Sequence, residues 1–497
     1  MSRVQLIALL PIIVAAAIPV VLILAIAARR SSRLVLALTL IGFAVVLATL
    51  TPAARVAPMQ VTPLLEIDGL ALFFIALVAS SGAATVLFAA GDQGASQVGE
   101  TEEVDAKREV GDTQGRDTDE RKPEEHYVLL SLAVLGAMVL GASRHFAALF
   151  LGLELLSLSL FPLIAYRRRQ PQALEAGIKY LVLSGVATGL LLFGMALLYA
   201  GIGSLELAAI GRALAASGEP GGIWILGGVT LVIAGLAMKL SLVPLHWWTP
   251  DVYQGAPTAV TGFLASVAKG AVIVVLLRLL VASDAHRQAP VMAVLAILAV
   301  LSMLTGNLLA LLQDNVKRIL AYSSIAHMGY LLVALLAAGE LAAEAVGFYL
   351  VAYFVSTLGA FGAVALKGPG GDNIAAFRGL YRRRPWLAAS FALMLLSLAG
   401  IPVTAGFVGK FYLFAVGVNA ALWIPVAVLV GASMIGLFYY LRIIFTLYTP
   451  PEHNVAAVPV AATGATALAT LTLALIWLGA WPAPVIGLIQ SALGGAF

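Results

Sequence analysis

Fourteen apolar runs, each near the length needed to cross a bilayer, follow one another along 497 residues. They fall at roughly 4–28, 34–51, 67–90, 127–142, 145–166, 174–201, 222–245, 257–282, 290–313, 318–338, 340–366, 385–417, 421–447 and 460–490. A helix crosses the hydrocarbon core in about 20 residues. Open sheet edges are not tolerated in lipid. The chain is therefore predicted to be an all-α integral membrane protein with about 14 transmembrane helices. Composition agrees, with 61% hydrophobic residues and only 11% charged ones, against about 25% charged in soluble proteins. The first run is too long for a signal-peptide core and lacks a clear cleavage site, so it reads as a retained helix.

Several chemistries are excluded. The chain has no cysteine, hence no cysteine-ligated iron–sulfur cluster, disulfide or thiol catalysis. Its six histidines are scattered without paired spacing, so neither a metal nor a haem site is expected. No phosphate-binding glycine motif follows a strand. The net charge of +4 reflects basic residues at membrane edges, not nucleic-acid binding.

The basic residues set an orientation. Loops after odd-numbered runs hold Arg29, Arg30, Arg33, Arg167, Arg168, Arg169, Lys317, Arg318, Lys367, Arg378, Arg382, Arg383, Arg384 and Arg442. Loops after even-numbered runs hold little more than Arg55, Arg144, Arg212 and Arg287. By the positive-inside rule the first set faces the cytoplasm and both termini lie outside.

Residues 91–126 interrupt the apolar pattern. They contain twelve of the chain's 25 acidic residues and five Lys/Arg, with almost no large apolar side chain. Such a segment cannot bury a core and is expected to be a flexible cytoplasmic insertion. The organisation is then three helices over 1–90, the insertion over 91–126, five helices over 127–282, five over 290–447, and a last helix over 460–490.

Five is an odd number, so the second set of five enters the membrane inverted relative to the first. In each set the fourth helix is interrupted, at "KLSLVP" (239–244) and at "GIPVTAGFVGK" (400–410), and each interruption has a lysine beside it. Interrupted helices at corresponding places in two inverted repeats are the sequence pointer to a transport path.

Ionisable residues deep in a membrane cost several kcal/mol and mark function. Glu154, Lys269 and His327 lie near the middle of runs 5, 8 and 10. Lys239 and Lys410 lie six or seven residues from the ends of their runs, within snorkelling reach of an interface, but beside the two breaks. A buried acid and buried bases whose separation changes form a proton-transfer element, since proximity restores each partner's charge. A static ion pair is the simpler alternative, yet one acid beside several lysines makes poor glue. Supporting positions are His246, for passing protons to a half-channel, and Tyr322 and Ser324, for holding water near His327. Lys179 supports as well, most simply as an i,i+4 partner of Glu175 at an interface. Trp247 and Trp248 read as an interfacial belt, and Asp68 as an N-cap.

The stretches "FLGLELLSLSLFPLIAY" (150–166), "EAGIKYLVLSGVATGLLLFGMALLYAGIGS" (175–204), "KLSLVPLHWWTPDVYQGAPTAVTGFLASVAKGA" (239–271), "NVKRILAYSSIAHMGYLLVAL" (315–335) and "FRGLYRRRPWLAASFALMLLSLAGIPVTAGFVGKFYLF" (377–414) closely resemble subunit N of bacterial respiratory complex I, the NADH–quinone oxidoreductase. The resemblance covers the chain from about residue 65 onward. It implies a proton-translocating membrane subunit in which Glu154 pairs with Lys239, Lys269 is central, Lys410 sits on the broken helix and His327 joins the halves. It implies no cofactor in this chain. FMN and iron–sulfur clusters belong to partner subunits, the neighbours being the antiporter-like subunit M, a K-type subunit and a peripheral redox arm. The location it implies is the bacterial plasma membrane.

The sequence also departs from that pattern. The acidic insertion is long, Val403 stands where a second proline is usual, and 431–442 lacks a usual polar pair. A subunit of a multisubunit sodium/proton antiporter is the alternative reading. "HWWTPDVYQGAP" favours the first. A purely structural scaffold would tolerate leucine at 154, 239, 269 and 410.

Overall fold

The computed structural model describes residues 2–109, 123–215, 222–282, 288–368, 371–450 and 460–493. Thirteen helices among these are long and apolar enough to cross a membrane, and a fourteenth crossing is made of two shorter helices in series. In chain order they are α1 (Arg3–Ala28), α2 (Ser32–Ala54), α3 (Gly69–Glu109), α4 (Pro123–Ala142), α5 (Phe146–Ile164), α6 (Pro171–Ile202) and α7a (Gly222–Leu240) with α7b (Trp248–Gly255). Then come α8 (Thr258–Ala282), α9 (Ala289–Leu311), α10 (Val316–Ala337), α11 (Glu340–Leu366), α12a (Pro385–Ala399) with α12b (Ala405–Asn419), α13 (Trp423–Tyr448) and α14 (Ala462–Ala480). A two-residue antiparallel pair, Met59–Gln60 with Glu66–Ile67, is the one sheet among the described residues.

The expected helical membrane fold is present, and both breaks fall where the sequence placed them. After Leu240 the chain turns at Ser241, with φ 62°. In the second half it turns at Gly400, with φ 83°, and again at Val403, with φ 72°. These angles lie in the left-handed region that L-residues rarely adopt. A proline, locked near −65°, could not occupy position 403 in this backbone. Thr404 then caps α12b, its side chain accepting from the Phe407 amide.

Three boundaries differ from the sequence reading. Residues 92–109 continue α3 as helix. Ala, Glu, Lys and Arg are strong helix formers, and "ETEEVDAKRE" is rich in them, so low hydrophobicity did not mean low helicity. Residues 123–126 already belong to α4, with Glu124 and His126 buried; the 110–122 part of the insertion lies outside the described residues, as does Arg287. The last run is two helices. α14 ends at Ala480, and Pro482 precedes a separate helix, Ala483–Leu493, because a proline interrupts the backbone ladder.

α8, α10 and α11 are the most enclosed crossings, while α1, α2 and α6 present broad apolar faces outward. In lipid such faces need no polar cover. The enclosed helices are the ones that carry Lys269 and His327.

Candidate functional site

α5 and α6 hold one end of the site. Glu154 and Ser157 are three residues apart on α5, and Ser184 and Thr188 are four apart on α6, so each pair lies on one helix face. The Lys239 ammonium, on the last turn of α7a, donates to Ser157 Oγ at 2.8 Å and to Ser184 Oγ at 2.6 Å. Thr188 donates to Glu154 Oε1 at 2.6 Å. Among the described residues no ion pair joins Glu154 to Lys239; hydroxyls hold each of them separately. The sequence motivated Glu154 and Lys239 but not Ser157, Ser184 or Thr188. The signal available was their i,i+3 and i,i+4 spacing against a glutamate.

Lys239 and Lys269 line one cavity of about 30 Å³, together with Ser157, Tyr180, Ser184 and Trp248. A buried water needs about 10–15 Å³ measured in this way, so the space suits one or two. Lys269 is fully buried in the middle of α8, and its Nζ has no hydrogen-bond partner among the described residues. Its ammonium stands 5.5 Å from the Tyr253 ring centroid, a cation–π distance. The turn just before it, Leu264–Ala268, is π-helical. A π-turn frees backbone carbonyls from the α-helical ladder, and Ala265 O accepts from the Tyr353 hydroxyl at 3.1 Å.

Tyr353 leads into the second half. With its one proton given to Ala265 O, its hydroxyl accepts from Ser324 Oγ at 2.8 Å, and its ring lies 5.2 Å from that of His327. His327 is buried between two hydroxyls, with Nδ1 2.7 Å from Tyr349 Oη and Nε2 3.3 Å from Tyr440 Oη. A hydroxyl both donates and accepts, so either tautomer of the ring is served. Tyr440 in turn bonds Ser323. On the other side of the His327 ring, 5.4 Å away, is Tyr330. Asn307 donates to Tyr330 Oη and accepts from Tyr439.

Lys410 closes the series. Its ammonium lies 5.1 Å over the Tyr330 ring and donates at 2.9 Å to Ala399 O, the last carbonyl of α12a. A helix C-terminus carries partial negative charge and favours a cation there. Both interface lysines of the sequence reading are therefore held by partners inside the protein, with no snorkelling geometry.

Of the supporting residues, Ser324 joins this network. His246 is buried at the α7 break with its ring 6.5 Å from that of Tyr322, in contact with neither lysine by a hydrogen bond. Lys179 pairs with Glu175 at 2.6 Å and also with Asp251 at 2.6 Å. Trp247 is exposed as a belt residue would be, but Trp248 is not. It packs edge-on to Tyr180 and donates its indole N–H to Met238 O at 3.1 Å, across the break. Asp68 caps α3 as expected, accepting from the Ala71 amide, and in addition binds Arg278 through both oxygens. Tyr349, Tyr353, Tyr439, Tyr440 and Asn307 were not singled out in the sequence. Tyrosine inside an apolar run reads as ordinary packing until its hydroxyl is seen to find a partner.

The profile of the family described as NADH:quinone oxidoreductase/Mrp antiporter, transmembrane, matches residues 143–436. That stretch contains Glu154, Lys239, Lys269, His327 and Lys410. The chain belongs to the NADH:quinone oxidoreductase/Mrp antiporter transmembrane family. This antiporter-like subunit is similar to a chain of respiratory complex I from Thermus thermophilus, with 33% identity over 96% of this chain and 98% of that one and a TM-score of 0.78. It is similar to a chain of the archaeal membrane-bound sulfane sulfur reductase, with 26% identity over 99% and 97% and a TM-score of 0.82. A chain of the Mrp complex from Dietzia sp. DQ12-45-1b shares the fold, with 19% identity over 100% and 98% and a TM-score of 0.82. These similar chains are parts of membrane complexes, and the crossings of this chain make it a multi-pass membrane protein.

Proposed function

We propose that this antiporter-like subunit is subunit N of a bacterial NADH–quinone oxidoreductase and moves protons while electrons pass from NADH to quinone elsewhere in the complex. The observation that carries the translocation reading is the run of polar side chains from Glu154 and Lys239 through Lys269, Tyr353 and His327 to Lys410, with a lysine at each broken helix. The 33% identity to a Thermus complex I chain and the "HWWTPDVYQGAP" segment favour complex I over an Mrp-type sodium/proton antiporter. On this reading FMN and the iron–sulfur clusters reside in a peripheral redox arm, subunit M and a K-type subunit flank the chain, and the arginine-rich loops face the cytoplasm with both termini outside.

The chemistry follows from the geometry. With Glu154 held by Thr188, the Lys239 ammonium is hydrogen-bonded by two serine hydroxyls, and the carboxylate acts on it from a distance. Drawing the carboxylate toward Lys239 favours its charged form, and withdrawing it favours release. The released proton crosses the shared cavity to Lys269. From there the Tyr353 and Ser324 hydroxyls and the His327 ring lead to Lys410, and each lysine in turn raises the cost of a second charge beside it.

The test is NADH-driven proton uptake, measured beside electron transfer to quinone, in membranes carrying Lys239→Ala. Assembly with loss of both activities supports the reading. Normal pumping makes Lys239 a structural residue and removes the reading. Sodium-dependent transport without any redox donor would instead favour the antiporter.

A further inference from the structure

The first break is held from the second half of the molecule. Backbone between α7a and α7b is anchored where the Val243 amide donates to Ser302 Oγ of α9 at 3.0 Å. α7b itself carries Asp251, whose carboxylate is shared. Lys179 of α6 donates to Oδ2 at 2.6 Å, and Arg318 of α10 donates to Oδ1 at 2.7 Å. Arg318 is braced by Gln313 at 3.0 Å and reaches Gln254 at 3.1 Å. The adjacent Lys317 donates to Ala256 O, just past the end of α7b, at 2.7 Å. The same end is pressed onto α6 so closely that a Cβ on Gly255 would stand 2.3 Å from Gln172 O. At its other end α7b begins with Trp248, which lines the Lys239–Lys269 cavity.

α10 therefore touches both halves. Its first turn grips α7b through Arg318, and nine residues on, about 13 Å along a helix rising 1.5 Å per residue, it carries His327. α7b has only eight residues and is flanked by irregular backbone at the break, so its place is set by its packing and by these contacts with α6 and α10. Exposed ion pairs add little stability; what a carboxylate bridging two cations from opposite halves supplies is position.

We propose that Asp251 is a positioning residue that ties α7b to α6 and α10 at once, so that a displacement of α10 is delivered to Trp248 and the Lys239–Lys269 cavity. The proposal rests on the proton-translocation reading. It adds that the two lysine-bearing halves are linked mechanically at the arginine-rich face as well as by the buried hydroxyls. Coupling through it requires that the link adopt two arrangements whose balance both sites bias.

The experiment compares assembled complexes carrying Asp251→Asn, Asp251→Glu, Arg318→Asp and the exchange Asp251→Arg with Arg318→Asp, with Lys239→Ala as reference. Assembly, electron transfer and proton pumping are measured on each. Asp251→Asn is expected to lower pumping roughly threefold to thirtyfold, the range by which residues in a coupling path act. Asp251→Glu is expected to restore most of it, and the exchange to recover part of what Arg318→Asp loses, since the exchanged cation then faces Lys179. If Asp251→Asn does not assemble, Arg318→Asp decides: lowered pumping supports the link and parental pumping overturns it. Parental pumping by Asp251→Asn while Lys239→Ala is inactive overturns the link and leaves the translocation reading intact. Parental pumping by Lys239→Ala removes the translocation reading itself, and the link with it.

Discussion

Lys410 donates to Ala399 O across the break in α12, so the cation of the second half is bound to the end of its own broken helix. Lys239 lies before its break, at the end of α7a, and reaches sideways to Ser157 and Ser184 on other helices. The two halves share a plan and differ in how firmly the lysine is bound to helices that can move apart. Lys239 depends on the mutual position of α5, α6 and α7a. Lys410 takes its hydrogen bond from its own helix, at the turn between α12a and α12b, and beyond that meets only the face of the Tyr330 ring among the described residues.

That turn leaves no room for a side chain. Gly400 has φ 83°, and a Cβ built there would lie 2.7 Å from Lys410 Cδ. A non-glycine residue in this backbone region costs about 1–3 kcal/mol, and the lysine stem would have to leave its carbonyl to relieve the contact. Gly400→Ala is expected to lower the melting temperature and to weaken pumping in the assembled complex. A variant that pumps and melts like the parent would show that the Lys410–Ala399 bond is dispensable.

The serines on α5 and α6 are expected to matter for Lys239. A hydrogen bond to a charged group contributes about 1.5–3 kcal/mol, and about 1.4 kcal/mol is a factor of ten in rate. Ser184→Ala is therefore expected to slow NADH-driven pumping by roughly tenfold or more, with Ser184→Thr close to the parent. Ser157→Ala should act in the same direction, and the double variant more severely. Pumping rates are the measurement; parental rates in both single variants would mean that Lys239 does not use these hydroxyls when it carries its proton.

Much of this was legible in the sequence, for reasons that can be named. Span length and the ban on open backbone in lipid leave helices alone, so the crossings were readable from apolar runs. Buried charge is too costly to be incidental, so Glu154, Lys239, Lys269, His327 and Lys410 stood out. The breaks were marked by Pro244, Gly400 and Pro402 beside lysines. What was not legible was partnership. Nothing local distinguishes Tyr353 from Tyr412, or Asp251 from any loop aspartate, because their roles depend on helices 29 to 88 residues distant, as the Tyr353 bonds to Ser324 and Ala265 show. Trp248 was misread for the same reason. A tryptophan near a helix end has the composition of a belt residue, and only the α7 break turns it inward. Residues 92–109 show the converse: too little apolar surface to bury a core does not preclude helix where intrinsic propensity favours it.

At the face opposite the arginine-rich loops, Asp68 and Arg278 form a bidentate pair at 2.6 and 2.9 Å, and both are largely buried. The pair joins the start of α3 to the outer part of α8, and Arg278 Nε also donates to Gly141 O at 2.7 Å. Removing one member of a buried pair leaves an uncompensated charge and costs about 3–5 kcal/mol. Asp68→Ala is expected to lower thermal stability strongly and to reduce the amount of assembled complex. Asp68→Asn keeps the N-cap acceptor and should be milder. Native gels and melting curves check this, and equal stability of Asp68→Ala and the parent would exclude a structural role for the pair.

Tyr440 offers the most specific test of the second half. Its hydroxyl contacts both His327 Nε2 and Ser323 Oγ, and the neighbouring Tyr439, which has no hydrogen bond to His327 among the described residues, donates to Asn307. Phenylalanine keeps the ring and its packing, so the cost falls on the hydrogen bonds, about 0.5–1.5 kcal/mol for a neutral one and more where a buried partner is left unsatisfied. If protons pass between His327 and the Ser323 side of α10 through that hydroxyl, Tyr440→Phe should assemble normally yet pump several-fold more slowly. The solvent deuterium effect on pumping should grow, because proton movement becomes the slow step. Tyr439→Phe, which removes a hydroxyl one bond further from the ring, should leave the isotope effect near the parent's. Equal isotope effects in the two variants, with pumping retained, would mean that His327 exchanges protons through Tyr349 instead, and Tyr349→Phe would then show the loss expected here of Tyr440→Phe.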